Sequence, residues 1–179
     1  MSSTEPTHAV FSSDRCLALG SLADALRALK QEPDAAPLLT YDLSTGREVD
    51  FDLRPSLDEL LKAHAPAPQR GPGRPKLGVT SREISLLPRH WAFLEGDPRG
   101  ISAALRQLVE EAMKGPGQAR RLRDATGNLL TGLAGNRPGY EEASRALYAG
   151  DLAGFDAATA SWPVDVRDLV RQRARAALG

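Results

Sequence analysis

Apolar positions recur along the chain with two periods, alternating in the first third and helical afterwards. "HAVFS" and "RCLALG" predict short strands joined at Ser13-Asp14. Ser21 stands where it caps a helix whose Leu22, Ala25, Leu26 and Leu29 share one face, with Pro33 and Pro37 beyond its end. Leu39, Tyr41 and Leu43 alternate in "LLTYDL", and Val49, Phe51 and Leu53 in "EVDFDL". With Ser44 to Arg47 between them, the two runs predict a β-hairpin. Ser56 and Glu59 have capping-box spacing at the start of a helix that turns Leu57, Leu60 and Leu61 inward.

The pattern then stops. "HAPAPQRGPG" is too rich in Pro and Gly for regular structure and too poor in apolar residues for a core, so it reads as a linker. Thr80 to Leu87 predicts a strand, Pro88 suits the first position of a helix through Glu95, and "GDPRG" breaks it. "ISAALRQLVEEAMK" places Ile101, Leu105, Leu108, Val109 and Ala112 on one helix face, ending at Gly115-Pro116. Four helices follow, marked by Leu122, Leu129 and Leu133, by Tyr140, Ala143 and Leu147, by Leu152 and Phe155, and by Val166, Leu169 and Val170 after Pro163. The expected fold class is α+β. It divides into an α/β hairpin module over 1–65, a Pro/Gly/basic arm over 66–79, a strand-helix-helix module over 80–115 and a helical module over 116–179.

Charge changes this picture more than composition does. The chain is 41% hydrophobic and 26% charged, ordinary for a folded protein, and its formal net charge is zero. Residues 1–69, however, carry 6 Lys/Arg against 11 Asp/Glu, residues 70–123 carry 11 against 5, and residues 124–179 carry 6 against 7. A basic middle between acidic flanks implies either a polyanionic partner for the middle or its docking on an acidic flank.

Candidate chemistry is sparse. Cys16 is the single cysteine, which excludes an intrachain disulfide or a cysteine-based zinc cage; it reads as a small buried hydrophobe. The start "MSSTEPTHAV" lacks a secretion pattern, and no run approaches the roughly 18 apolar residues of a membrane span, so a cytoplasmic protein without membrane partners is expected. His8, His64 and His90 lie in different segments without metal-ligand spacing, and HExxH, GxSxG and CxxC are missing. Asp50 and Asp52 read as the solvated side of the hairpin. Gly73 and Gly78 have the spacing of a phosphate-binding loop, but Val79-Thr80 stands where Lys-Ser/Thr is required. The expectation is a protein with no catalytic site, no metal and no cofactor.

"SREISLLPRHWAFLEGDPRGISAALRQLVEEA" resembles the ribbon-helix-helix DNA-binding fold over about a fifth of the chain. That resemblance implies a homodimer whose strands pair into a two-stranded ribbon for the DNA major groove, with Ile84, Leu86, Trp91, Leu94, Leu105, Leu108 and Val109 in the dimer core. It also implies that Ser102, opening the second helix, offers N–H groups to a phosphate. A segment this short cannot close its own core, since domains below about 40 residues need oligomerisation or another staple. In the usual register Arg82, Ile84 and Leu86 face the groove; a bulge beside Leu87 would instead return Ile84 and Leu86 to the core and present Glu83 and Ser85.

"GPGRPK" resembles the AT-hook core, which implies an extended arm using Arg70, Arg74 and Lys76 on DNA; a charged linker is the plainer alternative. Through "GRPKLGV" and "LLPRHW" the whole chain also resembles an uncharacterised bacterial family, a domain of unknown function, which implies the same order of modules and no established activity. Trp91 and Leu94 share a helix face, His90 reads as helix surface and Trp162 as a packing anchor. Arg120, Arg121 and Arg123 either supplement phosphate binding or form an exposed helix face.

The leading expectation is a dimeric DNA-binding transcriptional regulator contacting DNA through Arg70, Arg74, Lys76, Arg82, Ser85 and Ser102, its small-molecule effector unknown. An assembly protein that dimerises without DNA is the alternative, favoured by Ile84 and Leu86 on the groove face. An enzyme with a site between modules is the third.

Overall fold

The computed structural model describes residues 5–32, 37–65, 82–114 and 116–179. Its elements are β1 (His8–Ser12), β2 (Arg15–Gly20), α1 (Leu22–Gln31), β3 (Leu38–Asp42), β4 (Arg47–Glu48), α2 (Leu57–Ala63), α3 (Pro88–Glu95), α4 (Ile101–Lys114), α5 (Pro116–Ala134), α6 (Tyr140–Ala149), α7 (Leu152–Ala158) and α8 (Val164–Leu178). They fall into two compact units, Met1–His64 with Pro116–Gly179 and Ala65–Gly115. The central segment is thus an insertion in a larger host unit.

The host is organised by a four-stranded antiparallel sheet in the order β2-β1-β3-β4. Ala9, Val10 and Phe11 of β1 are all fully buried, so both faces of this strand need cover. On one face Val10 joins Ala25, Leu26 and Leu29 of α1 and Leu60 of α2, with Leu38, Phe51 and Leu53 packed against them. On the other, Ala9, Phe11, Tyr41 and Leu43 share a core with Leu129, Leu130, Leu147, Phe155, Trp162, Val166 and Val170. The flanks that read from sequence as separate modules therefore share one hydrophobic core. Tyr41 comes so close to α5 that a Cβ on Gly132 would sit 2.7 Å from its ring.

Both helices predicted to have side-chain caps carry them. Ser21 and Asp24 close a capping box on α1, and Ser56 and Glu59 another on α2. Trp162 is a packing anchor, its indole N–H donating to the Pro138 carbonyl at 2.8 Å. The predicted hairpin is shorter than its alternation suggests. Pairing of β3 with β4 covers Tyr41–Glu48 and Asp42–Arg47, and the Val49 N–H still reaches the Thr40 carbonyl at 2.8 Å. The chain then leaves the sheet to place Phe51 and Leu53 on the α1/α2 cluster, where the Lys30 ammonium donates to the Leu53 carbonyl. Asp50 and Asp52 accordingly lie beyond the strand; Asp52 pairs with exposed Arg54 at 2.7 Å.

The outer edge of β2 is protected by α8, whose Asp165 carboxylate accepts the Cys16 backbone N–H at 2.8 Å. Cys16 is half-buried, and burial first, then Asp165, pushes its thiol up, which disfavours the reactive thiolate. At the opposite side of the sheet the β3–β4 turn is clamped from two helices. Asn128 of α5 donates to the Thr45 carbonyl at 2.9 Å and Arg173 of α8 to the Leu43 carbonyl at 2.7 Å.

Gly46 completes that turn at φ +67°, and a Cβ there would lie 1.7 Å from the Ala125 carbonyl oxygen. Left-handed backbone and lack of space act together, and neither can relax without moving α5 off the sheet. Gly46→Ala is therefore expected to destabilise the protein by about 2 kcal/mol or more. A lowered urea midpoint at unchanged slope measures this; an unchanged midpoint would show that α5 does not hold the turn.

Candidate nucleic-acid interface

Arg70, Arg74 and Lys76, with the 66–79 arm that carries them, lie outside the described residues. The rest of the predicted interface falls in the inserted unit. Residues 82–87 run without strand pairing into Pro88, which opens α3; the described part of the expected Thr80–Leu87 strand thus pairs with no strand among the described residues. Arg82, Glu83, Ile84 and Ser85 are all exposed and Leu86 is partly covered, so neither register proposed for the ribbon is distinguished by burial.

The helices match their predicted bounds. α3 ends at Gly96, and Asp97 builds the turn that follows: its carboxylate accepts the Arg99 backbone N–H at 2.9 Å and the Arg99 guanidinium at 2.9 and 2.7 Å. Gly100, at φ +85°, then accepts the first helical N–H groups of α4 from Ala103 and Ala104 through its carbonyl. Because this capping position has no side chain, the start of α4 receives no side-chain cap from it. Ser102 is exposed one residue into the helix. Arg99 is committed to Asp97 and to Gln107, whose amide in turn donates to Glu111 at 2.7 Å. Arg89 is exposed beside His90, its Nε 3.4 Å from the imidazole Nε2.

Of the seven residues expected in a dimer core, Leu94 is buried within the chain itself, at 3% exposure. It and Ala104 are the buried apolar side chains of this unit among the described residues. Trp91, Leu86 and Leu105 are partly covered, while Ile84, Leu108 and Val109 are exposed. Leu87, which the usual ribbon register turns toward the core, is exposed at 49%, and Phe93 and Met113, to which the sequence assigns no role, are exposed at 70% and 49%. Phe93 was legible in principle, because it falls off the Trp91/Leu94 face of α3.

Arg120, Arg121 and Arg123 belong to the host unit, on α5; Arg120 is exposed and lies 3.8 Å from Asp124 one turn on. The host also carries a shallow cavity of about 300 Å³ lined by Tyr41, Gly46, Arg47, Glu48, Asn128, Thr131 and Gly132. His8, Asp42 and Asp50 are not in that lining. Asp42 is engaged in its own turn, accepting the Ser44 backbone N–H and hydroxyl at 2.8 and 2.7 Å. Among the described residues no group of three or more His, Cys, Asp or Glu side chains is placed to hold a metal ion, and no helix is long and apolar enough to cross a membrane.

Residues 7–174 match the model of a family described as "Uncharacterized protein conserved in bacteria (DUF2239)", and the chain belongs to that family. No curated protein and no solved structure matches it.

The Asp97–Arg99 turn makes a direct prediction. Hydrogen bonds from the Arg99 side chain, then from its backbone N–H, hold the Asp97 carboxyl at about 2. A depressed carboxyl pKa contributes stability above its unfolded value, and the contribution is lost as pH falls through the folded value. The turn should therefore stay paired from neutral pH to about pH 4 and open between there and about pH 2. An NMR titration should place the Asp97 midpoint near 2, and Arg99→Ala should return it toward the ordinary carboxylate range. An ordinary midpoint in the unaltered protein would show that this turn is not formed in solution.

Proposed function

We propose that this family member is a DNA-binding protein, acting as a dimeric transcriptional regulator, whose inserted unit supplies both the dimer contact and the DNA contact. The observation that carries the reading is the segregation of charge with architecture. Residues 65–115 hold 8 Lys/Arg against 5 Asp/Glu, while the chain as a whole is neutral, so the host bears the opposite excess. A basic insertion on an acidic host is the electrostatic footprint of a polyanion-binding element.

The local chemistry supports the same reading. Arg82 and Ser85 are exposed on the approach to α3, and Ser102 is exposed at a helix start without a side-chain cap from Gly100. The dimer is supported by the exposed apolar side chains Ile84, Leu87 and Phe93 and by residues 82–87, which pair with no strand among the described residues. Those same exposed apolar residues favour a second reading, an assembly protein whose inserted unit dimerises without DNA. The mechanism in either case is binding, with no covalent step.

Two measurements test the proposal. Selection from random duplexes over a salt series should enrich a short palindrome if a symmetric dimer reads DNA. Replacing Arg70, Arg74 and Lys76 together by Ala should weaken binding and reduce the logarithmic salt slope by about one for each phosphate no longer neutralised, with the dimer and the fold retained. Arg82→Ala should weaken binding further. No binding at low salt would overturn the DNA reading and leave the assembly reading; unchanged affinity and slope in the triple variant would reduce the arm to a linker.

A further inference from the structure

Tyr41 is 1% exposed, yet its hydroxyl makes no hydrogen bond with any described residue. A buried phenol normally finds a partner for that group. This one lines the host cavity of about 300 Å³ beside β4 and α5, next to Gly132, where a Cβ would sit 2.8 Å from the phenolic oxygen. Glu48 stands directly across the β3–β4 ladder from Tyr41, so the two side chains share the sheet face that packs on α5. Burial first, and then the Glu48 carboxylate, pushes the Tyr41 pKa up, which keeps the group a neutral phenol able to donate and to accept. Glu48 itself is exposed and forms no ion pair with a described residue. Arg47, its neighbour in the lining, alternates to the other face of β4.

The other polar groups of the lining have their donors engaged. Asn128 gives an amide N–H to the Thr45 carbonyl at 2.9 Å, leaving its Oδ1, and the Thr131 hydroxyl donates to the Gly127 carbonyl at 3.0 Å. The groups left to a ligand are thus a carboxylate, an amide oxygen and a phenol. Thr131 and Gly132 belong to the last turn of α5, the negative end of the helix dipole. Acceptors and negative charge together match a cation that donates hydrogen bonds.

We infer that this cavity binds the ammonium group of a small primary amine, held by Glu48, Tyr41 and Asn128, with the carbon chain lying over the Gly46 and Gly132 backbone. An ammonium has three N–H donors for these three oxygens. A cavity of about 300 Å³ has the size of a small-molecule site and is too roomy for a bare ion, so an organic body accompanies the charge. The site lies wholly in the host unit; it goes beyond the DNA reading and stands without it.

Titration of the full chain with n-butylamine at neutral pH, followed by amide-resolved NMR, should shift Glu48, Thr131 and Gly132 saturably, with a dissociation constant on the order of 1–10 mM. Butanol and butyrate lack the cation and tetramethylammonium lacks the N–H donors, so none of them should bind. Glu48→Gln should weaken binding about tenfold or more. Tyr41→Phe, which removes one oxygen and no charge, should weaken it about threefold or more. Should Tyr41→Phe disturb the core, Glu48→Gln at an exposed position and the probe series still decide. Absence of saturable shifts, or equal binding of butyrate or of potassium chloride, would overturn the site. Unchanged affinity in a folded Tyr41→Phe variant would reduce it to an isolated surface carboxylate and overturn it as well. None of these outcomes bears on the DNA reading.

Discussion

Burial of β1 on both faces is the constraint from which the host unit follows. A strand with Ala9, Val10 and Phe11 all removed from water needs a cover on each side of the sheet. The first cover is local: α1 and α2 follow within the same stretch of chain and close over Val10. The second is supplied by α5 to α8, after the whole insertion has been made. The chain can satisfy its first strand only by returning to it with its last third. This explains why the C-terminal helices do not form a module of their own.

Polar groups reinforce the same closure. Asn128 and Arg173 reach from α5 and α8 to carbonyls at the β3–β4 turn, and Asp165 reaches from α8 to the free edge of β2. Each bond satisfies a backbone group that sheet geometry leaves over, so the host spends its long-range polar contacts on itself. The inserted unit is built differently. Its described hydrogen bonds are local, centred on the Asp97–Arg99 turn, and its apolar side chains exceed what two unequal helices can bury. The host thus closes around its own core, whereas the inserted unit leaves Ile84, Leu87, Phe93 and Leu108 exposed.

Much of this fold was legible in the sequence. Capping boxes at Ser21 and Ser56, Pro88 at a helix start and the breaks around "GDPRG" are local chemistry, and local chemistry sets local bounds. The hairpin was overextended because alternation in Val49, Phe51 and Leu53 marks residues that seek burial, and these bury Phe51 and Leu53 under helices instead of in a longer strand. The shared core of the two flanks was not legible, since periodicity in α5 to α8 gives an apolar face and says nothing of what covers it. Membership of the bacterial family, by contrast, could be read from "GRPKLGV" and "LLPRHW".

The candidate interface shows the same division between what a pattern specifies and what it leaves open. Leu94 and Leu108 were read alike, as apolar positions on helix faces, yet one is buried within the chain and the other is exposed at 42%. Hydrophobicity is non-directional, so it cannot say whether the covering surface is intramolecular. In this unit the exposed apolar side chains on α4 are those that the shorter α3 leaves uncovered, and helical spacing alone does not separate them from Leu94.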